Sequence, residues 1–353
     1  MSIIIYNFAK MKYNIAVVSK KANKEEANIL KFILPRYKKV VTFFFALIFF
    51  LTLYSVIAIA VLFHSPYTEF KEYWVTTAMS TMEHQYLAEM LVSDDEIAEI
   101  MENNKVIQSG LNADTSEILI KKGKGSSIEK IDLRGKGYKG IMLVISDPSK
   151  VFVGSAKAEQ SKGMFLKDIV KKYGAVAGIN AGGFINQSSK HGDAREADGL
   201  LISEGVILKG ADGASYNVIG FTDKDKFILG VHNLSEIKKL KVRDAVSFAP
   251  FLIVNGKPSK IIGNGGWGIN PRTAIGQKKD GTVLLLAIDG RQASSVGATI
   301  GQVQDIMMEY GAYNATNLDG GSSTIMVYKD EIINNPCSLK TGRFLPDAFL
   351  VRE

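Results

Sequence analysis

Twenty-four consecutive residues, Val40 to Phe63, read VVTFFFALIFFLTLYSVIAIAVLF and carry no charge. At about 1.5 Å rise per residue, a helix of that length crosses a hydrocarbon core of about 30 Å with some tilt. Its few polar members (Thr42, Thr52, Tyr54, Ser55) are types that a helix satisfies internally. The alternative is a buried core helix, which the length of the run and its apolarity on every face disfavour. A cleaved leader has a shorter apolar core followed by small residues, which His64-Ser65-Pro66 does not resemble. The run is therefore expected to be a single transmembrane helix over 40–63.

Charge sets the expected orientation. Arg36, Lys38 and Lys39 abut the N-terminal end, whereas Glu69, Lys71 and Glu72 follow the C-terminal end with no basic excess. Positive flanks stay inside, so residues 1–39 are expected to be a basic cytoplasmic tail that favours anionic lipid headgroups. The rest would lie outside the plasma membrane. The formal charge of +7 does not indicate a nucleic-acid partner. Nine of the 43 basic residues and two of the 36 acidic ones fall in the first 39 positions, which leaves the remainder balanced. The only cysteine, Cys337, excludes a disulfide-stapled small fold. It reads as a plain thiol with no base beside it.

Residues 64–110 are expected to form a helical stalk. Ser93, followed by Asp94, Asp95 and Glu96, has the form of a capping box, and Ile97, Ile100 and Met101 make one apolar face. Tyr67, Tyr73 and Trp74 suit either an interfacial aromatic belt or ordinary packing. From residue 111 short apolar runs alternate with glycine turns, and the helical stretches are few, near 163–173 and 301–310. This predicts one α+β domain over 111–353, built on a mixed sheet. Expected strands include Glu117–Ile120, Val283–Ile288 and Ala348–Val351, with a tight hairpin turn at Ser203-Glu204-Gly205.

Four glycine-rich clusters at strand ends hold the polar residues. They are Asn180-Ala-Gly182-Gly183-Phe184, Glu196-Ala-Asp198-Gly199, Arg272-Thr273-Ala-Ile-Gly276 with Asp289-Gly290-Arg291, and Asn317-Leu-Asp319-Gly320-Gly321-Ser322-Ser323. Loops held by a rigid scaffold are where enzymes place reactive groups. Asp198, Asp289 and Asp319 are the candidate catalytic carboxylates. Arg272 is the best candidate phosphate clamp because of its forked geometry, with Arg291 a second cation. Thr273, Ser322, Ser323 and the Gly320-Gly321 amides are candidate donors, Gly182 and Gly183 allow close approach, and Asn180 would orient a sugar hydroxyl. Asp289 reads equally as a residue that holds a loop or Arg291 in place. His191 and Glu196 are weaker acid/base candidates.

Taken together and in this order, the clusters resemble the phosphodiester glycosidase family, over about residues 135–353. Gly297 matches a downstream glycine of that pattern, while Ala181 and Ile185 depart from it. The resemblance implies hydrolysis of a sugar 1-phosphodiester such as α-linked N-acetylglucosamine 1-phosphate esters. For a domain facing outward, it implies a glycan or sugar-phosphate partner in cell-wall or exopolysaccharide material. Two alternatives stay open: a non-catalytic surface glycan-binding or assembly module, and a surface phosphotransferase attaching polymers to the wall. Three aspartates leave room for a divalent cation such as calcium without placing one. Gly263-Asn-Gly265-Gly-Trp267-Gly268 fits a dinucleotide fingerprint, but Ile269-Asn270-Pro271 follows where a helix must start, so the match is read as accidental. Trp267 is either a sugar-stacking ring or a packing residue.

Overall fold

The computed structural model describes residues 24–64, 68–108, 112–120, 127–156, 162–186, 193–194, 196–338 and 340–353, with side chains from 37 onward. The chain divides into two compact units, 1–68 and 69–353.

In the first unit a helix runs Lys24–His64. Its stretch Tyr37–Phe63 is long and apolar enough to cross a membrane. Phe43, Phe50, Val56 and their neighbours are exposed all round it. The hydroxyls of Thr52 and Ser55 donate to the carbonyls of Ile48 and Leu51, 2.8 Å in each case. Those groups need no water, as an apolar solvent requires.

The second unit is an α+β structure of antiparallel strands. A seven-stranded sheet runs in the order Lys257–Pro258, Phe251–Val254, Ala312–Asn317, Arg272–Lys278, Val283–Ile288, Tyr138–Ile145, Ile128–Gly135. A five-stranded sheet runs Glu331–Ile332, Met326–Tyr328, Ala177–Asn180, Asp347–Val351, Val151–Ser155. A second five-stranded sheet runs Phe227–Asn233, Ser215–Thr222, Val242–Ser247, Leu201–Ser203, Val206–Lys209. Strand Val283–Ile288 explains how they stack. Val283, Leu285 and Ala287 enter one core, shared with Ile179, Phe349, Phe221 and Val246 from the other two sheets. Leu284, Leu286 and Ile288 enter another, under Val303 and Met307 of helix Ile300–Glu309. Period-two alternation with both faces covered makes a continuous apolar run. Helices Leu166–Lys172 and Leu234–Lys239 cover the outer faces of the two smaller sheets in the same way.

The hairpin turn forms as expected, with positive φ at Glu204 (49°) and Gly205 (82°), the pairing that suits a two-residue loop. Glu117–Ile120 is not a strand. Thr115–Glu117 makes one 3-10 turn capped by Asp114, and Leu119 donates a single hydrogen bond to Lys279. The 263–268 stretch starts no helix, so the dinucleotide match is accidental.

The segment expected to be a stalk belongs largely to the folded unit. Lys105–Ile107 pairs with Lys260–Ile262. Helix Thr68–Met79 packs on the 263–270 turn, where the Thr77 hydroxyl accepts from the Ile269 amide (3.1 Å). Ser93 caps helix Asp94–Asn103 by accepting from the Glu96 amide, while the Glu96 carboxylate pairs with Lys71 instead of reaching back. Trp74 stacks on Phe70 and donates to the Leu87 carbonyl (2.9 Å), so it is a packing residue, and Tyr67 lies outside the described residues. A Cβ on Gly268 would fall 2.1 Å from the Thr77 hydroxyl oxygen and 2.5 Å from its amide nitrogen, at a φ of +55°. Gly268→Ala is therefore expected to destabilise the unit by about 2 kcal/mol through strain and overpacking. A urea midpoint equal to that of wild type would mean that this helix is not docked.

Candidate active site

Leu318 and Asp319 form a step between two sheets. The Leu318 amide donates to Thr273 of the seven-stranded sheet (2.8 Å), and the next amide, Asp319, donates to Ala181, just past a strand of the five-stranded sheet (3.1 Å). Asn180 locks the step. Its Nδ2 donates to the Asp319 carbonyl (2.6 Å), and its Oδ1 accepts from Thr273 Oγ1 (3.0 Å) and the Ile325 amide (3.1 Å). Both Asn180 and Thr273 are fully buried, so they position the turn and do not face a ligand.

Asp319 opens onto a cleft of about 1010 Å³. That is the upper end of the roughly 300–1,000 Å³ typical of small-ligand sites, enough for groups on both sides of a phosphodiester. Of the residues singled out in the sequence, Gly183, Asp198, Arg272, Arg291 and the turn Asp319–Ser323 line it. The outer lining includes Phe165, Phe184, Phe248, Trp267 and Phe344, aromatic faces suited to sugar rings. Trp267 both lines the cleft and packs on Phe248, 6.0 Å between centroids.

Several expected roles change. Arg272 is 2% exposed; its Nε donates to Ala298 and its Nη2 to Trp267 and Gly268, all backbone carbonyls. Burial, then the charge of Arg291, lowers its pKa to about 9, so it stays charged at neutral pH and shapes the cleft wall from behind. Asp289 does not line the cleft. Its carboxylate accepts from the Asn335 amide (2.8 Å) and Asn334 Nδ2 (3.1 Å), holding that loop, and burial raises its pKa. Gly182 uses its amide on a buried carboxylate described below. Glu196 pairs with Lys209 (3.3 Å) away from the cleft, and His191 lies outside the described residues. The Cys337 thiol is half-buried against the Gly321 carbonyl, and burial raises its pKa, which leaves it unreactive.

Two residues absent from the sequence-based site complete it. Arg343 lies over the Phe184 ring at 4.5 Å and donates Nη1 to Ser322 Oγ (3.1 Å), with no carboxylate in ion-pair contact among the described residues. Arg291 donates Nη2 to Asn270 Oδ1 (2.9 Å) and packs over Gly321, again without an ion pair. Two guanidiniums that make no ion pair within 4 Å among the described residues thus flank the Gly320–Ser323 turn, an arrangement suited to an anion. The second addition is Asp347, 1% exposed, whose Oδ1 accepts from the Gly182 amide (2.7 Å). Its Oδ2 and that of Asp319 are both sealed from solvent without a hydrogen-bond partner. Burial raises Asp319 to about 6, against the opposing pull of Ser323, Arg343 and the Gly320 amide. Burial, together with the nearby charge of Asp319, raises Asp347 to about 7. Each had a sequence cue. Asp347 is an acid opening an otherwise apolar strand, and Arg343 follows a glycine four residues before it.

Among the described residues no group of three or more His, Cys, Asp or Glu side chains gathers to hold a metal.

The cleft thus brings the Asp319 carboxylate at its base together with Arg291 and Arg343 on its wall. A family model described as phosphodiester glycosidase matches residues 173–352, half of the chain. The chain belongs to the phosphodiester glycosidase family. It is 29% identical over 198 residues to the SPbeta prophage-derived uncharacterized protein YomE of Bacillus subtilis, covering 54% of this chain and 29% of that protein. It is 32% identical over 68 residues to the N-acetylglucosamine-1-phosphodiester alpha-N-acetylglucosaminidase of Bos taurus, covering 19% of this chain and 13% of that one. The chain thus spans less than a third of either relative. The catalytic domain of the zebrafish N-acetylglucosamine-1-phosphodiester alpha-N-acetylglucosaminidase, solved auto-inhibited by its pro-peptide, has the same fold. It superposes with a TM-score of 0.56 at 19% identity, over 67% of this chain and 86% of that one.

Proposed function

We propose that the protein is a membrane-anchored glycosidase that hydrolyses a sugar 1-phosphodiester outside the cytoplasm, in cell-wall or exopolysaccharide material. The observation that carries this reading is Asp319 at the base of the cleft that Arg291 and Arg343 also line, neither of them in an ion pair among the described residues. Hydrolysis breaks the anomeric C1–O bond through an oxocarbenium-like state, and a carboxylate either attacks C1 or takes a proton from the attacking water. Asp319 supplies that carboxylate. Asp198, exposed, is a further acid within the cleft, as is Glu83. The leaving phosphate monoester gains charge as the bond breaks, and the two guanidiniums stabilise it there. Water adds to C1, and the products are a free sugar and a phosphomonoester. The apolar helix Tyr37–Phe63 serves as the anchor, and the basic flank before it supports an N-terminus in the cytoplasm.

The test uses the full-length chain in detergent, incubated with N-acetylglucosamine-1-phospho-methyl-mannoside and with UDP-N-acetylglucosamine, and scores free sugar. Arg343→Ala is expected to lower kcat/KM by about 10²-fold, the usual effect of removing one donor to a developing charge. No sugar release by folded wild type from these or other sugar 1-phosphodiesters would reject the reading.

A further inference from the structure

Five consecutive residues of the cleft wall, Ser80 to His84, precede the family-matched region and come from the segment that reads as a stalk. They are fixed in place. The preceding helix is pinned by Asn264 Nδ2 donating to the buried Thr76 hydroxyl (3.0 Å), besides the Thr77 contact above. The turn itself is closed by the Thr81 hydroxyl, which donates to the Ala78 carbonyl (2.9 Å) and accepts from the His84 amide (3.0 Å). Met82 is 63% exposed there, and Glu83 and His84 are also exposed.

This wall is tied to both arginines. Ser80 Oγ accepts from Asn270 Nδ2 (3.0 Å), and Asn270 Oδ1 accepts from Arg291 (2.9 Å). Glu83 and Arg343 line the same cleft, and while burial lowers the pKa of Arg343, the charges of Asp319 and then Glu83 oppose that. Asp319, with one oxygen sealed from solvent, lies deep in the cleft, whereas Met82, Glu83 and His84 are exposed at its mouth, so with C1 at Asp319 and the phosphate at the arginines this wall lies outward of the phosphate. That is where the esterified alcohol must sit.

Resting on the glycosidase reading, we infer that Ser80–His84 forms the leaving-group subsite, and that Glu83 there selects hydroxyl-rich neutral alcohols over those carrying a further phosphate. A carboxylate accepts hydroxyl protons and repels a second anionic group; juxtaposed like charges are a common device for rejecting wrong partners. A monosaccharide or polyol ester is thus the favoured substrate class, and a nucleoside diphosphate sugar the rejected one.

The test reads binding apart from turnover. Fluorescence of the two tryptophans, one of which (Trp267) lies in the cleft, is titrated in the full-length protein with methyl-mannoside 6-phosphate and with UDP. Glu83→Gln is expected to shift the ratio of the two Kd values about fivefold toward UDP, the scale of one partly screened charge. A merely structural role would move both constants together and leave the ratio fixed. An unchanged ratio, or no binding of either ligand to wild type, overturns the inference. Failure of sugar release with the ratio shifted as expected overturns the glycosidase reading and leaves the subsite standing as a binding site.

Discussion

Asp319→Asn is expected to lower kcat on any accepted sugar 1-phosphodiester by at least about 10³-fold, with the fold intact. The size follows from the chemistry. Without the carboxylate nothing in the base of the cleft can attack C1 or accept a proton from water, and loss of the reacting group removes most of the rate. The fold should survive because the contacts that place residue 319 are made by its backbone, to Ala181 and to Asn180. Asparagine keeps the shape and sheds a charge that lies beside a sealed, unpartnered oxygen. The melting temperature should therefore hold or rise. Asp289→Asn is the matched control: its carboxylate holds the 334–335 loop outside the cleft, so the change should appear in stability and not in kcat. Sugar release by the Asp319 variant at the wild-type rate would move the catalytic carboxylate to Asp198.

How far the sequence specified this site depends on which way side chains point. The apolar run Val283–Ile288 could be read directly, because both of its faces are buried and each residue is hydrophobic. Ala312–Asn317 could not. It is a central strand, but Asn314, Thr316 and Asn317 are buried polar residues that bond loop groups such as the Asn255 amide, so the segment reads as a loop. Ile128–Gly135 was hidden for the opposite reason: it is the sheet's edge strand, largely charged and exposed. The motif glycines marked the right turns. They did not distinguish Asn180, Thr273 and Arg272, which turn inward and hold the turn, from Arg291 and Asp319, which face the cleft. Residue type alone made Arg272 the better clamp; three carbonyls around its guanidinium reverse that. The cleft wall at Ser80–His84 was missed because a helix following a membrane span has the same local pattern whether it projects into solvent or docks.

Asp347→Asn is expected to stabilise the protein at pH 8 by about 2–4 kcal/mol, and by almost nothing at pH 4. The sign follows from linkage. Burial, with Asp319 beside it, raises the folded-state pKa of Asp347 to about 7, above the ordinary value of 3.8 for an aspartate. Above pH 4 the unfolded chain releases this proton while the folded one keeps it. The folded state therefore binds more protons, and stability falls as pH rises until the folded group ionises near 7. Beyond that the penalty is constant. A shift of about three units at about 1.4 kcal/mol each sets the upper end of the range. Asparagine can still accept from the Gly182 amide, so the variant removes the charge and keeps the contact. For a unit of this size the gain corresponds to a rise of about 5–10 °C in Tm at pH 8. The same substitution should leave the acidic limb of the activity profile, set near pH 6 by Asp319, in place, because Asp347 is still protonated and neutral when Asp319 ionises. Denaturant midpoints of wild type and variant at pH 4 and pH 8, measured on the full-length chain in detergent, decide the matter. A gap that opens only at high pH identifies a buried charge held at the expense of stability beside the reacting carboxylate. An equal gap at both values would assign the effect to packing and detach Asp347 from the chemistry of Asp319.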